Sequence, residues 1–588
     1  MLLEAIYHRP KQNWAYAYDQ ETIHIRLRTK KDDVTAVTVY TGDKFYCYDD
    51  FTKTVPVPME RLYQDELFDY WQAAVVPPYR RLAYTFKLES ADEMLWMNER
   101  GFHTEPPQPA VGWFEFPFLN GVDVFTPPAW VKDAVFYQIF PERFANGDPS
   151  LDPADVEPWG GEPTPYNFFG GDLQGVLDHI DYLAELGITA IYFTPIFEAT
   201  TNHKYDTKDY MKVDPAFGDN EKLKELVQAC HAKGIRILLD AVFNHCGYMF
   251  SPYLDVQEKG EASAYKDWFH IRSFPLEVVD EVPTFDTFAF TPMMPKLNTE
   301  NPEVKDYLLK VARYWIEEVG IDGWRLDVAN EVDHAFWREF RKTVKAVNPD
   351  AYILGEMFHE GMMWLQGDQF DAVMNYPFTY AMLDFFAASK LDGRAFAYAI
   401  QHQLACYPLQ ANEVMFNLLD SHDTERLLTQ CGGDKAKMKL AALFQFTFLG
   451  TPCLYYGDEV GLDGGGDPEC RKCMEWDEEK QDQELLAFYQ RLIALRHRYA
   501  ALRTGEFRFV YAAEHEAVIA YERQDADSRW LIVMNASPDA GSIELSGVGQ
   551  DWREVTLDGQ ESILQADVAA GSALKLELAG HGWRILRK

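Results

Sequence analysis

Gly323-Trp324-Arg325-Leu326-Asp327 and Ile353-Leu354-Gly355-Glu356 decide the fold, because each is an apolar run closed by a carboxylate and a helix-like stretch separates them. Two apolar runs joined through a helix form a parallel βαβ unit. As neighbouring strands, with ends roughly 4.8 Å apart, they would turn both carboxylates into one cleft. Two further runs repeat the arrangement. Ile235-Arg236-Ile237-Leu238-Leu239-Asp240-Ala241-Val242-Phe243-Asn244-His245 and Phe416-Asn417-Leu418-Leu419-Asp420-Ser421-His422-Asp423 also end in Asp and His. One acidic strand end is an ordinary solvated cap; four strand ends presenting carboxylate or imidazole point to a built site.

The expected carboxylate spacing approaches the roughly 5–5.5 Å between the two carboxyl groups of a retaining glycosidase, so sugar chemistry is the expectation. Working outward, apolar strand candidates fall near residues 135, 191, 238, 325, 354, 374, 417 and 455. About eight such strands close a (β/α)8 TIM barrel, an α/β fold whose chemistry sits at the strands' C-terminal ends. Leu173, Val176, Leu177, Ile180 and Leu183 keep helical spacing up to a capping Gly187, and Val304, Leu308, Val311 and Trp315 do so after Asn301-Pro302. The fifty or so residues after the third strand, about 246–300, are too long for a simple loop and read as an inserted subdomain.

Flanking the barrel, expected over 125–503, are two β regions. Residues 1–124 alternate, as in Ile23-His24-Ile25-Arg26-Leu27-Arg28, and read as a β-sandwich with one buried face per strand. Pro127-Pro128 marks the linker. From about residue 504 to 588 alternation returns, as in Leu574-Lys575-Leu576-Glu577-Leu578, and a small antiparallel β domain is expected.

Composition narrows the function classes. At 588 residues the chain calls for a large domain with smaller additions, and its formal charge of −38 (55 basic against 93 acidic) opposes a polyanionic partner such as nucleic acid. Aromatics at 15% fill a large core and leave some rings for sugar stacking. No apolar run is long enough to span a membrane, and the start Met1-Leu2-Leu3-Glu4 lacks a secretory n-region, so a cytoplasmic protein is expected. The 8 cysteines are scattered as reduced thiols are, and Cys470-Arg471-Lys472-Cys473 has no second pair or His to make it a zinc or redox motif.

These ordered strand-end segments resemble the α-amylase family of glycoside hydrolases. Met294-Pro295-Lys296-Leu297-Asn298 with Val328-Ala329-Asn330-Glu331 resembles its neopullulanase, cyclomaltodextrinase and maltogenic amylase branch. The resemblance covers nearly the whole chain and implies Asp327 as nucleophile, Glu356 as general acid and then base, and Asp423 as the carboxylate that holds the distorted sugar. It further implies His245 and His422 as donors to sugar hydroxyls, Tyr205 as stacking platform, Asp467 and Arg471 as more distant glucose contacts, and Asn330 and Glu331 as acceptor-side residues. Arg325, two residues before Asp327, is expected to keep the nucleophile ionised, while a desolvated Glu356 is raised. At Phe358 the sequence departs from the branch, where Trp is usual; Phe stacks but lacks the indole donor.

The resemblance also implies a structural calcium ion, with oxygens from Asn146, Asp148, Asp152, Gly170 and Asp172, although Leu151 stands where a further oxygen is common. Substrates implied are cyclomaltodextrins, pullulan and malto-oligosaccharides, hydrolysed with transglycosylation. A homodimer is implied in which one N-terminal domain narrows the partner's active site. Three readings stay open: this hydrolase, an α-1,6-glucosidase or glucanotransferase of the same family, and a non-catalytic barrel acting as a binding partner.

Overall fold

The computed structural model describes residues 1–47, 50–108, 111–549, 551–564 and 573–588. At its centre are eight parallel strands: β1 (Phe136–Ile139), β2 (Ala190–Phe193), β3 (Arg236–Ala241), β4 (Gly323–Leu326), β5 (Tyr352–Gly355), β6 (Ala372–Val373), β7 (Phe416–Asn417) and β8 (Thr451–Tyr455). Each pairs with its sequence neighbour, β8 returns to β1, and a bridge between Met374 and Phe416 joins β6 to β7, which closes the barrel. Strands enclosed on both faces read as continuous apolar runs, and β1, β2, β4 and β5 are buried at every position.

The ladder runs one residue past the strands at the place that matters. Asp327 N donates to Ala241 O at the end of β3, and Glu356 N donates to Leu326 O at the end of β4. Both carboxylates are therefore fixed at adjoining strand ends by main-chain bonds. Gly323 opens β4 because a side chain there would meet the carbonyl oxygen of Tyr352 at 2.3 Å.

The helices follow the expected spacing with one break. Leu173–Asp178 and Ile180–Leu186 are separate helices meeting at His179, and Gly187 ends the second at φ 94°. Asn301 caps Pro302–Tyr314 as expected, and a wider turn over Trp315–Val319 follows. The insertion after β3 is a small lobe with one helix, Ser251–Lys259, and a short hairpin. A bridge from His245 to Lys296 ties it to the barrel, and one from Phe269 to Leu297 joins two segments within it.

The N-terminal region is a sandwich of four- and six-stranded antiparallel sheets around Ile23, Ile25, Leu27, Val37, Val39, Phe86 and Leu88. Its strand Ile23–Lys30 departs from the expected single buried face: His24 and Arg26 are buried as well. The reason is docking, since Arg26 Nη1 donates to the carbonyls of Ala405 and Tyr407 on the barrel. The C-terminal region pairs a six-stranded with a two-stranded antiparallel sheet. It is latched to the barrel by buried Arg523, which donates to the carbonyls of Thr447, Leu502, Arg503 and Gly505. Among the described residues no helix is long and apolar enough to cross a membrane.

Candidate active site

Arg325 organises the site. Its side chain is fully buried, and Nη1 lies 3.0 Å from Asp240 Oδ2 and 2.7 Å from Asp327 Oδ1, while Nη2 lies 2.5 Å from Glu356 Oε1. One guanidinium thus serves three carboxyl groups from β3, β4 and β5. The Nη2 approach to Glu356 is an ion pair without hydrogen-bond alignment, since Nη2 and Nε have no hydrogen-bond acceptor. Asp327 Oδ2 is buried and has no hydrogen-bond partner, with His245 Nδ1 4.0 Å away.

Those contacts correct the expectation that Arg325 holds the Asp327 carboxyl below its ordinary value. Burial, with Asp240 and Asp423 nearby, outweighs the guanidinium and raises the Asp327 carboxyl to about 7. Burial raises Glu356 further, to about 8, again against Arg325 and with Asp327 adding to the rise. Three carboxylates around one cation hold a proton near neutrality, and the misaligned partner Glu356 is where it rests. The arrangement supplies an ionised oxygen on Asp327 and a protonated oxygen on Glu356.

Val328 completes the pair. It takes the left-handed conformation at φ 45°, which costs a β-branched residue about 1–3 kcal/mol. The turn aims Val328 N at Glu356 Oε2, 2.8 Å away.

The cleft above these groups has a volume of about 450 Å³ and is lined by Asp327, Glu356, Asp423, His245, Tyr205, Asn330, Phe358, Asp467 and Arg471 among the expected residues. His245 Nε2 is buried without a partner there, and burial pushes its imidazole down to about 3, so a neutral ring offers it to a ligand hydroxyl. Arg471 joins the last two carboxylates, with Nη2 3.4 Å from Asp423 Oδ1 and Nη1 2.9 Å from Asp467 Oδ1. Phe358 is 46% exposed and stacks on Tyr376 at 4.0 Å between centroids, which leaves its outer face toward the cleft.

Two expected contacts are placed elsewhere. His422 is fully buried behind Tyr205: Gln138 Nε2 meets its Nδ1 at 2.7 Å, and Nε2 lies 2.6 Å from Tyr205 Oη and 3.2 Å from Asp423 Oδ2. Both ring nitrogens are thus engaged within the protein, against Gln138, Tyr205 and Asp423. Glu331 is outside the cleft lining and pairs with Lys296 at 3.6 Å, while the neighbouring Asn330 Nδ2 meets His359 Nε2 at 3.2 Å. Arg325 also lies beneath the lining and acts on the carboxyls.

Sequence reading gave no role to several participants. Asp240, already visible there as an acid in the run Ile235–His245, pairs with Arg325 from inside β3. His203 lines the cleft from the segment that carries Tyr205. Phe288 comes from the inserted lobe and stacks on His245 at 5.1 Å; no periodicity marks it in the sequence.

At the expected calcium ligands, Asn146 Nδ2 donates to Asp152 Oδ1 at 2.8 Å, and Asn146 Oδ1 is buried without a partner. Gly170, at φ 82°, comes so close that a side chain would meet Asp152 Oδ1 at 2.3 Å. Asp172 is spent differently from the expectation. Its carboxylate caps Leu173–Asp178 and accepts from the backbone N–H groups of Gly147, Asp148 and Gly175. Asp148 Oδ1 likewise accepts from Ser150. Cys470 and Cys473 are both buried, with Cys470 Sγ against the His422 carbonyl at 3.2 Å.

The α-amylase catalytic-domain model matches residues 138–505, the N-terminal Ig-like domain model of α-amylases matches 1–120, and the maltogenic amylase C-terminal domain model matches 507–585. The chain belongs to the α-amylase family. It is 65% identical to a cyclomaltodextrinase of a Bacillus species over 91% of this chain and 96% of that protein. It is 47% identical to neopullulanase 2 of Thermoactinomyces vulgaris over 95% and 96%. A solved cyclomaltodextrinase structure superposes with a TM-score of 0.94 at 60% identity, covering all of both chains. As an α-amylase family member the protein is a glycoside hydrolase, and its cleft is the place for that chemistry.

The two raised carboxyl groups make a prediction for this family member. Activity needs Asp327 ionised and Glu356 protonated, so kcat/KM rises as pH climbs through the Asp327 value and falls beyond the Glu356 value. The expected profile is a bell lying wholly above the ordinary carboxylate range, with limbs near 7 and 8. A profile whose acid limb sits at the ordinary value near 4 would contradict the buried, shared-cation account.

Proposed function

We propose that the protein is a retaining α-glucan hydrolase that opens cyclomaltodextrins and cleaves pullulan and malto-oligosaccharides, with transglycosylation. The observation that carries the mechanism is the unpartnered Asp327 Oδ2 beside Glu356, both hung on Arg325. Asp327 Oδ2 attacks the anomeric carbon while Glu356 gives its proton to the leaving glycosidic oxygen. The covalent glycosyl-enzyme is then opened by water or a sugar hydroxyl that Glu356, now a base, deprotonates. Asp423, held by Arg471, accepts from hydroxyls of the distorted sugar, His245 donates, and Tyr205 offers its ring. Asn330 and Phe358 face the acceptor.

The relatives' names, cyclomaltodextrinase and neopullulanase, support this substrate range. Product chromatography with β-cyclomaltodextrin, pullulan and soluble starch tests it. Ring opening fastest, with maltose as product and panose from pullulan, is expected; fast starch cleavage with inert rings would refute the substrate assignment.

Calcium is part of the proposal. Asn146 Oδ1 lacks a partner next to Asp152 and Gly170, which fits a hard cation that takes oxygen ligands, with Asp148 close in sequence; such an ion would brace the loop before Leu173. Adding calcium to chelator-treated protein is expected to raise Tm, and Asn146→Ala to abolish the rise.

We also propose a cytoplasmic homodimer. The eight cysteines are free, in keeping with a reducing compartment. Phe45, Tyr46, Leu67 and Tyr79 of the N-terminal sandwich are exposed, which leaves apolar side chains there for a second copy to cover. Light scattering across working concentrations should return twice the 67.8 kDa chain mass.

A further inference from the structure

A second cluster of reactive groups lies where the N-terminal sandwich docks on the barrel. Asp65 belongs to the turn between the sandwich strands Glu60–Gln64 and Phe68–Val75, and His402 and Cys406 lie one helical turn apart at the end of helix Gly393–Cys406. Asp65 Oδ2 accepts from Tyr70 Oη at 2.8 Å and lies 2.9 Å from His402 Nδ1, while Asp65 Oδ1 accepts from the N–H groups of Leu67 and Phe68. The other ring nitrogen, His402 Nε2, lies 3.7 Å from Cys406 Sγ. The carboxylate thus fixes one side of an imidazole whose other side faces a thiol, which is the arrangement that activates cysteine nucleophiles.

Electrostatics agree with the geometry. The hydrogen bond that His402 donates to Asp65 is the largest cause raising its imidazole, to about 10, so the ring is an imidazolium at neutral pH. Burial would raise Asp65, but four hydrogen bonds outweigh it and hold the carboxyl down at about 2. The nearby Tyr70 and Tyr407 hydroxyls are pushed up by burial and stay neutral, with Glu360 beyond Tyr407, so the cation that faces the sulfur is His402. Access is selective. Seven of the eight cysteines are buried and Cys406 alone is partly exposed.

We infer that Cys406 is a nucleophilic thiol, activated by His402 and Asp65, that forms mixed disulfides with low-molecular-weight disulfides at the junction of sandwich and barrel. The Cys406 thiolate attacks one sulfur of the disulfide, a new S–S bond forms as the old one breaks, and the other half leaves as a thiolate. The attacked disulfide is the oxidant, and Cys406 is oxidised by it. His402 Nε2 faces the sulfur at 3.7 Å before the attack and loses that thiol partner afterwards. The adduct therefore weakens the helix side of the Asp65 contact and couples thiol oxidation to domain docking.

Glutathione disulfide serves as the probe on the full-length protein near neutral pH, with the adduct located by peptide mass mapping. Adduct is expected at Cys406, with a rate at least about tenfold lower in His402→Gln, where the partner cation is lost. Asp65→Asn should slow it as well. His402 is largely exposed, and unchanged cyclomaltodextrin hydrolysis in His402→Gln confirms the fold. Equal rates in wild type and His402→Gln, or a wild-type rate no higher than that of Cys406 in the urea-unfolded chain, would overturn the inference.

Discussion

Asp327→Asn is expected to lower kcat/KM on β-cyclomaltodextrin by about 10⁴-fold or more, about 5.4 kcal/mol at 1.36 kcal/mol per decade. The amide keeps the shape of the side chain and an oxygen for Arg325 Nη1, which lies 2.7 Å from Asp327 Oδ1. It lacks the ionised oxygen that the unpartnered Oδ2 provides. Stability moves the other way. Three carboxyl groups share one guanidinium, so removing one relieves crowding, and Tm should stay level or rise. A large loss of activity without a loss of stability separates chemistry from folding; a parallel fall in both would assign Asp327 to structure instead.

The second large effect is on the fold. Arg325→Leu leaves Asp240, Asp327 and Glu356, at 1%, 5% and 7% exposure, without their shared cation. Breaking a buried ion pair by removing one partner costs about 3–5 kcal/mol, and here one side chain serves three partners. Urea unfolding near neutral pH is expected to show a loss of that size. The sign of the pH dependence follows from the raised carboxyl groups. Loss of the cation lifts these carboxyls further and protonation neutralises them, so the deficit is largest at alkaline pH and shrinks as pH falls toward the wild-type Glu356 and Asp327 values. A deficit under about 1 kcal/mol would fall within the range of ordinary substitutions and would contradict the central place given to Arg325.

The barrel and its carboxylates were legible because a parallel strand enclosed on both sides is a continuous apolar run, and a charge at its end stands out. That signal marked Asp327 and Glu356, and Asp240 carries it inside β3. At β6 and β7 the pairing is only two residues long, and closure rests on Met374 and Phe416. Side-chain direction was less readable. His422 follows the strand-end pattern, yet Gln138 and Tyr205 turn it inward, contacts between segments that no local pattern encodes. Phe288 illustrates the limit more sharply, since it reaches the cleft from an insertion without periodic order. The alternation of Ile23–Lys30 implied one wet face because the sequence of a strand does not show what docks on it.

The central claim is that Asp327 Oδ2 becomes covalently bound to the sugar while Glu356 manages the proton. Incubating Glu356→Gln with α-maltosyl fluoride tests it most directly, because fluoride leaves without an acid but the glycosyl-enzyme needs a base to be released. Intact mass followed by peptide mapping should show one maltosyl group on the peptide that contains Asp327, and wild type should release the α-anomer first. A glycosyl group on another carboxylate, or the β-anomer as first product, would contradict the account.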